Sequence, residues 1–348
     1  MNWLKPALKP TLKPTLSLCA LLSLAACGPL EDEGPFPGDA LAIQEQEAIS
    51  SCVAPTEAQC WKLLPTDTNF GGRTTAWNAA HYALRPNSPS KSSLVVMLHG
   101  VGSSAGNFYH STAYATATTS FFASAVNKGY RVLGITHRNS PNIREVCGTN
   151  VDCHLPTRRT FITGVVQPGS AVTDMGYYDG IEARLIRLLV TLRDGQDPSG
   201  GWGAYLTPSN CTGTRNTAIP CGIVWNKLIV AGHSQGAGHA AVIGKDHLVD
   251  TVVMLAGPTD RTPEQTVPSY TLASSGLATP AGGGNYRGLV HGKDSFVTAS
   301  TIHWDASRLN AGAHGKTTTS TADHCGTSPH SCVIESASFY TTWQGFWP

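Results

Sequence analysis

Ser234 stands between Gly232 and Gly236 in the segment 227–236, Lys-Leu-Ile-Val-Ala-Gly-His-Ser-Gln-Gly. The apolar run reads as a short buried strand entering a tight turn that exposes the serine, with 235–242 compatible with a following helix. A serine at the tip of such a strained turn leaves no room for side chains two positions to either side, which accounts for the paired glycines. Its hydroxyl is a poor nucleophile at neutral pH, so nucleophilic chemistry here requires a nearby base, and a carboxylate to hold that base in the correct tautomer. Two acids follow late apolar runs: Asp294 in Gly-Lys-Asp at 292–294 and Asp260 in Gly-Pro-Thr-Asp at 257–260. Each falls at the carboxyl end of an expected strand, where open α/β sheets place their sites, and Asp294 is preferred. Either acid alternatively caps its own backbone in a surface turn.

The elements needed to position these groups alternate along the chain, as in a mostly parallel sheet flanked by helices. Strands are expected at 74–82, 93–98, 131–136, 228–233, 251–255 and 287–291, and a last, threonine-rich one at 312–321. The run 174–193 places Ile181, Leu185, Leu188, Leu189 and Leu192 at helical spacing, so its apolar face should lie on the sheet. The Gly/Pro/Ser-rich insertion 194–222 is expected at the surface, and no internal repeat is visible. Phe108, Tyr109, Tyr114, Trp202 and Tyr205 are candidates either to line a cleft or to pack their loops, whereas Trp304, Trp343 and Trp347 belong with helix packing near the C-terminus. Apolar walls would favour an uncharged acyl or aryl ester.

The N-terminus carries a second signal. Lys5, Lys9 and Lys13 lead into an apolar run over 16–26 that ends at Cys27 and is too short to span a bilayer, which reads as a secretory signal. Leu24-Ala25-Ala26-Cys27 resembles a bacterial lipobox, whose cysteine is lipidated and becomes the mature N-terminus; the alternative is an ordinary signal peptide cut near the same small residues. Gly28 in place of an aspartate resembles the pattern of outer-membrane retention. The expected organisation is a signal peptide at 1–26, a flexible acidic stalk at 27–50, and one domain at 51–348. Loss of the three signal lysines takes the formal charge from +1 to −2, and with no basic patch nothing points to nucleic acid. Of the ten cysteines, those other than Cys19 and Cys27 fall into four close pairs: 52 with 60, 147 with 153, 211 with 221, and 325 with 332. In an oxidising compartment each pair can close a small loop, and no C-x₂-C spacing supports a zinc site.

His99-Gly100 after an early strand, Gly-His-Ser-Gln-Gly at 232–236 and Gly-Lys-Asp at 292–294 together resemble the α/β-hydrolase superfamily over most of 74–348. The resemblance implies an α/β-hydrolase fold with disulfide-stapled loops, and an order of nucleophile, acid, then histidine. It puts the base after the last strand: His330, inside the ring of Cys325 and Cys332, with His314 and His324 as rivals. It further implies that the backbone N–H groups of Gln235 and Val101 form the oxyanion hole, and that His233 and His99 are structural. A carboxylic ester hydrolase is the expected activity, acting on a small ester or a lipid, without cofactor or metal. A peptidase or amidase would use the same residues, and a noncatalytic surface lipoprotein with this fold is the reading from another class. A phosphate-cradling loop is disfavoured, because residue 100 opens neither G-x-x-x-x-G-K-[ST] nor G-x-G-x-x-G.

Overall fold

The computed structural model describes residues 52, 54–55, 57–66, 68, 77, 79–109, 118–213, 219–262, 264, 266–268, 286–294, 296, 325 and 328–348. The described strands are β1 (Ala58–Leu63), β2 (His81–Pro86), β3 (Leu94–Leu98), β4 (Arg131–Ile135), β5 (Leu206–Thr207), β6 (Gly222–Ile223), β7 (Leu228–His233), β8 (Thr251–Leu255) and β9 (Tyr286–Leu289). Seven of them form one sheet in the order β1-β2-β4-β3-β7-β8-β9, and β5 pairs with β6 in a separate ribbon. From β4 to β9 every neighbouring pair is parallel, while β1 and β2 join antiparallel at one edge. The helices are α1 (Gly106–Tyr109), α2 (Phe121–Val126), α3 (Ile143–Cys147), α4 (His154–Thr163), α5 (Ile181–Thr191), α6 (Gln235–Asp246), α7 (Pro329–Glu335) and α8 (Tyr340–Gln344). This is an α/β-hydrolase-like fold.

The central strands β3, β7 and β8 are buried along their whole length, as expected of parallel strands covered on both faces. The alternation of side chains sorts their residues into two cores. Val96, Leu98, Val230, Val252 and Met254 pack with Leu185, Leu188, Leu189 and Ala240 of α5 and α6. Val95, Met97, Ile229, Ala231, Val253 and Leu255 pack on the other face with Phe121 and Phe122 of α2 and with Trp343 and Trp347. The Ser120 hydroxyl caps α2 by accepting from the Ala123 N–H at 3.1 Å.

All four close cysteine pairs are disulfides, with Cα–Cα distances of 5.2 to 5.5 Å. Several element limits differ from those the sequence suggests. The early strand occupies His81–Pro86, largely beyond 74–82, because Ala83 and Leu84 are its core residues and Asp197 holds the Arg85 guanidinium at 2.7 Å. Ahead of it lies an unexpected edge strand, β1. The helix expected over 174–193 begins only at Ile181, since Gly180 is extended (φ −65°, ψ 147°) and its close packing on Gly164 leaves no room for a Cβ. The whole expected strand at 312–321, with His314, His324, Tyr114 and Trp304, lies outside the described residues.

The insertion is not a surface appendage throughout. Trp202 and Tyr205 are buried in the α5 side of the core, where the Trp202 N–H donates to Asp197 at 2.9 Å and its ring meets Trp61 edge-on. They are packing residues and not cleft residues.

Candidate active site

The order of strands creates the site. After β3 the chain turns to β4 on one side, and after β7 it turns to β8 on the other, with α2 and α6 on opposite faces. The loops leaving the carboxyl ends of β3 and β7 therefore diverge and leave a crevice between them. A cleft of about 420 Å³ opens there, lined among others by Gly100, Val101, His233, Ser234, Gln235 and His330.

Ser234 joins β7 to α6 with φ 54° and ψ −120°, a conformation unusual for any residue with a side chain. Close packing holds it there. The Ser234 N–H donates to the Leu255 carbonyl at 2.8 Å, and its own carbonyl accepts from Ala237 at 3.0 Å. A Cβ on Gly232 would lie 2.1 Å from the Gly236 carbonyl oxygen, and one on Gly236 would lie 2.3 Å from that of Leu98. The glycines on both sides of the serine are therefore contact points between backbones.

Asp294 is buried just past β9 and accepts from the Phe296 N–H through Oδ1 at 2.9 Å. Its Oδ2 lies 2.7 Å from His330 Nδ1. That contact consumes Nδ1 and leaves Nε2 for other work. His330 is the second residue of α7 and not part of a loop, because Pro329 at the first helical position starts the helix; it lies within the ring closed by Cys325–Cys332. The other acid considered, Asp260, is buried against Arg158, which donates to it through Nε at 2.5 Å and through a second, shorter bond. The same guanidinium donates to the Gln235 carbonyl at 2.7 Å. Asp260 thus braces the start of α6 through Arg158.

Two histidines order the surrounding loops. The His233 imidazole donates from Nε2 to the His330 carbonyl at 3.0 Å, and burial holds its pKa down to about 3. His99 donates from Nδ1 to the Gly100 carbonyl at 2.8 Å and accepts from the His137 N–H at Nε2, with its pKa held at about 4 by burial. Both are neutral in these roles. Val101 is 41% exposed on the cleft wall, and Gln235 opens α6, so the backbone of each borders the space above Ser234.

Other parts of the site have no local sequence signal. The Gln235 side chain accepts from the Ile143 N–H at 2.8 Å and donates to Asn139 Oδ1 at 2.6 Å, while Asn139 donates to the His99 carbonyl at 2.5 Å. Of the two roles open to the aromatic candidates, those described pack their loops. Phe108 and Tyr109 are buried in the α2 side of the core, Tyr109 stacking on Tyr82, and the aromatic wall is Phe296, 68% exposed and 4.8 Å from the His330 ring. Asn107, Asn142, Arg144, Thr259, Ile334 and Glu335 complete much of the lining.

No protein-family model matches the chain, and no curated protein matches it. Among solved structures it is similar to an S-formylglutathione hydrolase from Agrobacterium tumefaciens, with 11% identity over 85% of this chain and 98% of that one and a TM-score of 0.42. It is similar to esterase B from Lactobacillus rhamnosis at 10% identity, 76% and 74% coverage and a TM-score of 0.36. For esterase Est22 the values are 16% identity, 61% and 49% coverage and 0.28.

Proposed function

We propose that the protein is a serine hydrolase that cleaves carboxylic esters. The observation that carries this reading is a strained serine sharing one cleft with His330, whose Nδ1 is held 2.7 Å from a buried Asp294 carboxylate. In the proposed reaction His330 Nε2 takes the proton as Ser234 Oγ bonds to the ester carbonyl carbon, and the Asp294 carboxylate stabilises the imidazolium that results. The backbone N–H groups of Gln235 and Val101 receive the negative oxygen of the tetrahedral intermediate. Its collapse breaks the carbon–oxygen bond to the alcohol, which leaves with the proton from His330. Water then gives a proton to the same nitrogen and attacks the acyl-enzyme, releasing the acid and restoring Ser234. These steps use no metal or organic cofactor.

Hydrolysis of p-nitrophenyl esters of graded chain length, by the protein and by Ser234→Ala, tests this reading. The expected result is turnover that falls about 10⁴-fold or more in the variant. Equal rates in the two proteins would remove Ser234 from the reaction, and turnover of amides alone would move the assignment to peptide-type substrates.

The reading extends to location: the outer membrane of a bacterial cell envelope, with lipid on Cys27 anchoring the domain 51–348 through the stalk 27–50. Among the described residues no helix is long and apolar enough to cross a membrane. Expression in a bacterium that processes lipoproteins should give detergent-phase partitioning that is lost in Cys27→Ser. Partitioning that survives the substitution would sink the anchor.

A further inference from the structure

Arg144 lines the same cleft as Ser234 and His330. Its helix is fixed relative to the nucleophile: Asn142 Oδ1 caps it by accepting the Arg144 N–H at 3.1 Å, the neighbouring Ile143 N–H is bound to the Gln235 side chain, and Cys147–Cys153 staples its far end. Among the described residues no carboxylate pairs with the Arg144 side chain. The nearest acid in sequence, Glu145, accepts instead from the Asn142 amide at 3.1 Å.

The other charge-bearing group on the wall is Glu335, from α7. Burial raises its pKa, and its hydrogen bond with Asn107 works against that rise. The carboxyl of Glu335 is therefore partnered within the protein, whereas Arg144 presents a permanent positive charge on a partly buried surface with no carboxylate partner among the described residues. A guanidinium in such a position matches a planar anion through two parallel hydrogen bonds.

We propose that the substrates are esters bearing a second, negatively charged group, a carboxylate, which Arg144 recognises while Ser234 attacks the ester. This deepens the serine hydrolase reading and rests on it. It also replaces the uncharged acyl or aryl ester that a purely apolar cleft would favour. Arg144 is a specificity residue here and takes no part in proton transfer.

The test compares p-nitrophenyl pentanoate with mono-p-nitrophenyl glutarate, which have acyl chains of equal length and differ in the terminal carboxylate. The quantity read is the ratio of kcat/KM for the glutarate to that for the pentanoate. Arg144→Gln should lower this ratio at least about tenfold, and Arg144→Lys should retain most of it. An unchanged ratio in Arg144→Gln overturns the proposal.

Calorimetric binding of the glutarate half-ester to Ser234→Ala, with and without Arg144→Gln, gives a readout independent of turnover. A loss of at least about tenfold in affinity on adding Arg144→Gln supports the anion site. Equal affinity, or no measurable binding to Ser234→Ala, overturns it. If neither ester is hydrolysed by the wild-type protein while the half-ester still binds through Arg144, the hydrolase reading fails and the anion site stands.

Discussion

The contact between Asp294 and His330 fixes more than a distance. With Nδ1 facing the carboxylate, the imidazole presents Nε2 to the cleft, and the wrong tautomer would present an N–H where a lone pair is needed. Asp294→Asn preserves shape and removes this preference, so kcat should fall about 10⁴-fold with little change in melting temperature. A variant that keeps more than a tenth of wild-type kcat would mean that another acid orients the base. His233 acts one step further out, through the His330 carbonyl. His233→Ala should reduce kcat about tenfold with KM nearly constant, as for the loss of one positioning hydrogen bond; an unchanged kcat would reduce that bond to packing. Ser234 stands out in the sequence because its constraint is local, two glycines in a five-residue turn. The histidine and the acid are separated by 36 residues, so the preference for His330 and Asp294 over His314, His324 and Asp260 came from the order of motifs in the resembling family and not from a local pattern. Asp260 shows why: its partner, Arg158, is 102 positions away and gives no periodic signal.

Between elements, the site depends on how closely α6 approaches the ends of β3 and β7. Gly236 lies against the Leu98 and His99 carbonyls, so Gly236→Ala should cost about 2–3 kcal/mol in chemical denaturation and lower activity by shifting the serine. Full stability in that variant would show that the turn can relax. Arg158 ties α4 to the start of α6 through the Gln235 carbonyl and to Asp260. Arg158→Met removes the guanidinium that faces the buried Asp260 carboxylate, with an expected loss of about 3–5 kcal/mol; Arg158→Met with Asp260→Leu should lose less than the single change. A double variant no more stable than the single one would mean that the pair serves the backbone chiefly through Gln235. The element pattern follows a similar division. Buried parallel strands announce themselves as unbroken apolar runs, and β3, β4, β7 and β8 fall close to the expected limits. The edge strand β1 is half-buried and mixed in character (Ala-Gln-Cys-Trp-Lys-Leu), and β2 contains Arg85, whose charge is met by Asp197 from the distant insertion. Neither circumstance is local to the strand.

At the scale of the molecule, the sheet brings together many histidines that must be neutral to be buried. His81, His99, His137, His233 and His239 are all buried, and burial is the largest cause lowering each of their pKa values: to about 4 for His99, about 3 for His233, and well below the ordinary value for the other three. The inward ring nitrogens His137 Nε2, His233 Nδ1 and His239 Nδ1 have no hydrogen-bond partner among the described residues, so no acceptor there waits for a second proton. In the unfolded chain each imidazole titrates near its usual value of about 6.5. Below that pH the unfolded chain takes up protons that the folded protein refuses, so acid favours unfolding. The contribution of these histidines is complete above about pH 6.5 and is lost as the pH falls toward the folded values, on the order of 1 kcal/mol per histidine for each pH unit. Most of this occurs above the range in which ordinary carboxylates titrate. Urea unfolding between pH 7.5 and 4.5 should therefore show stability steady at first and then declining below pH 6.5, with several protons taken up on unfolding. His239→Gln should reduce that uptake by about one proton, since the amide replaces the imidazole without a titrating group. Stability that stayed flat from pH 6.5 to 5 would show that the core admits charged imidazole, and with it that His233 and His99 are not held neutral beside the cleft.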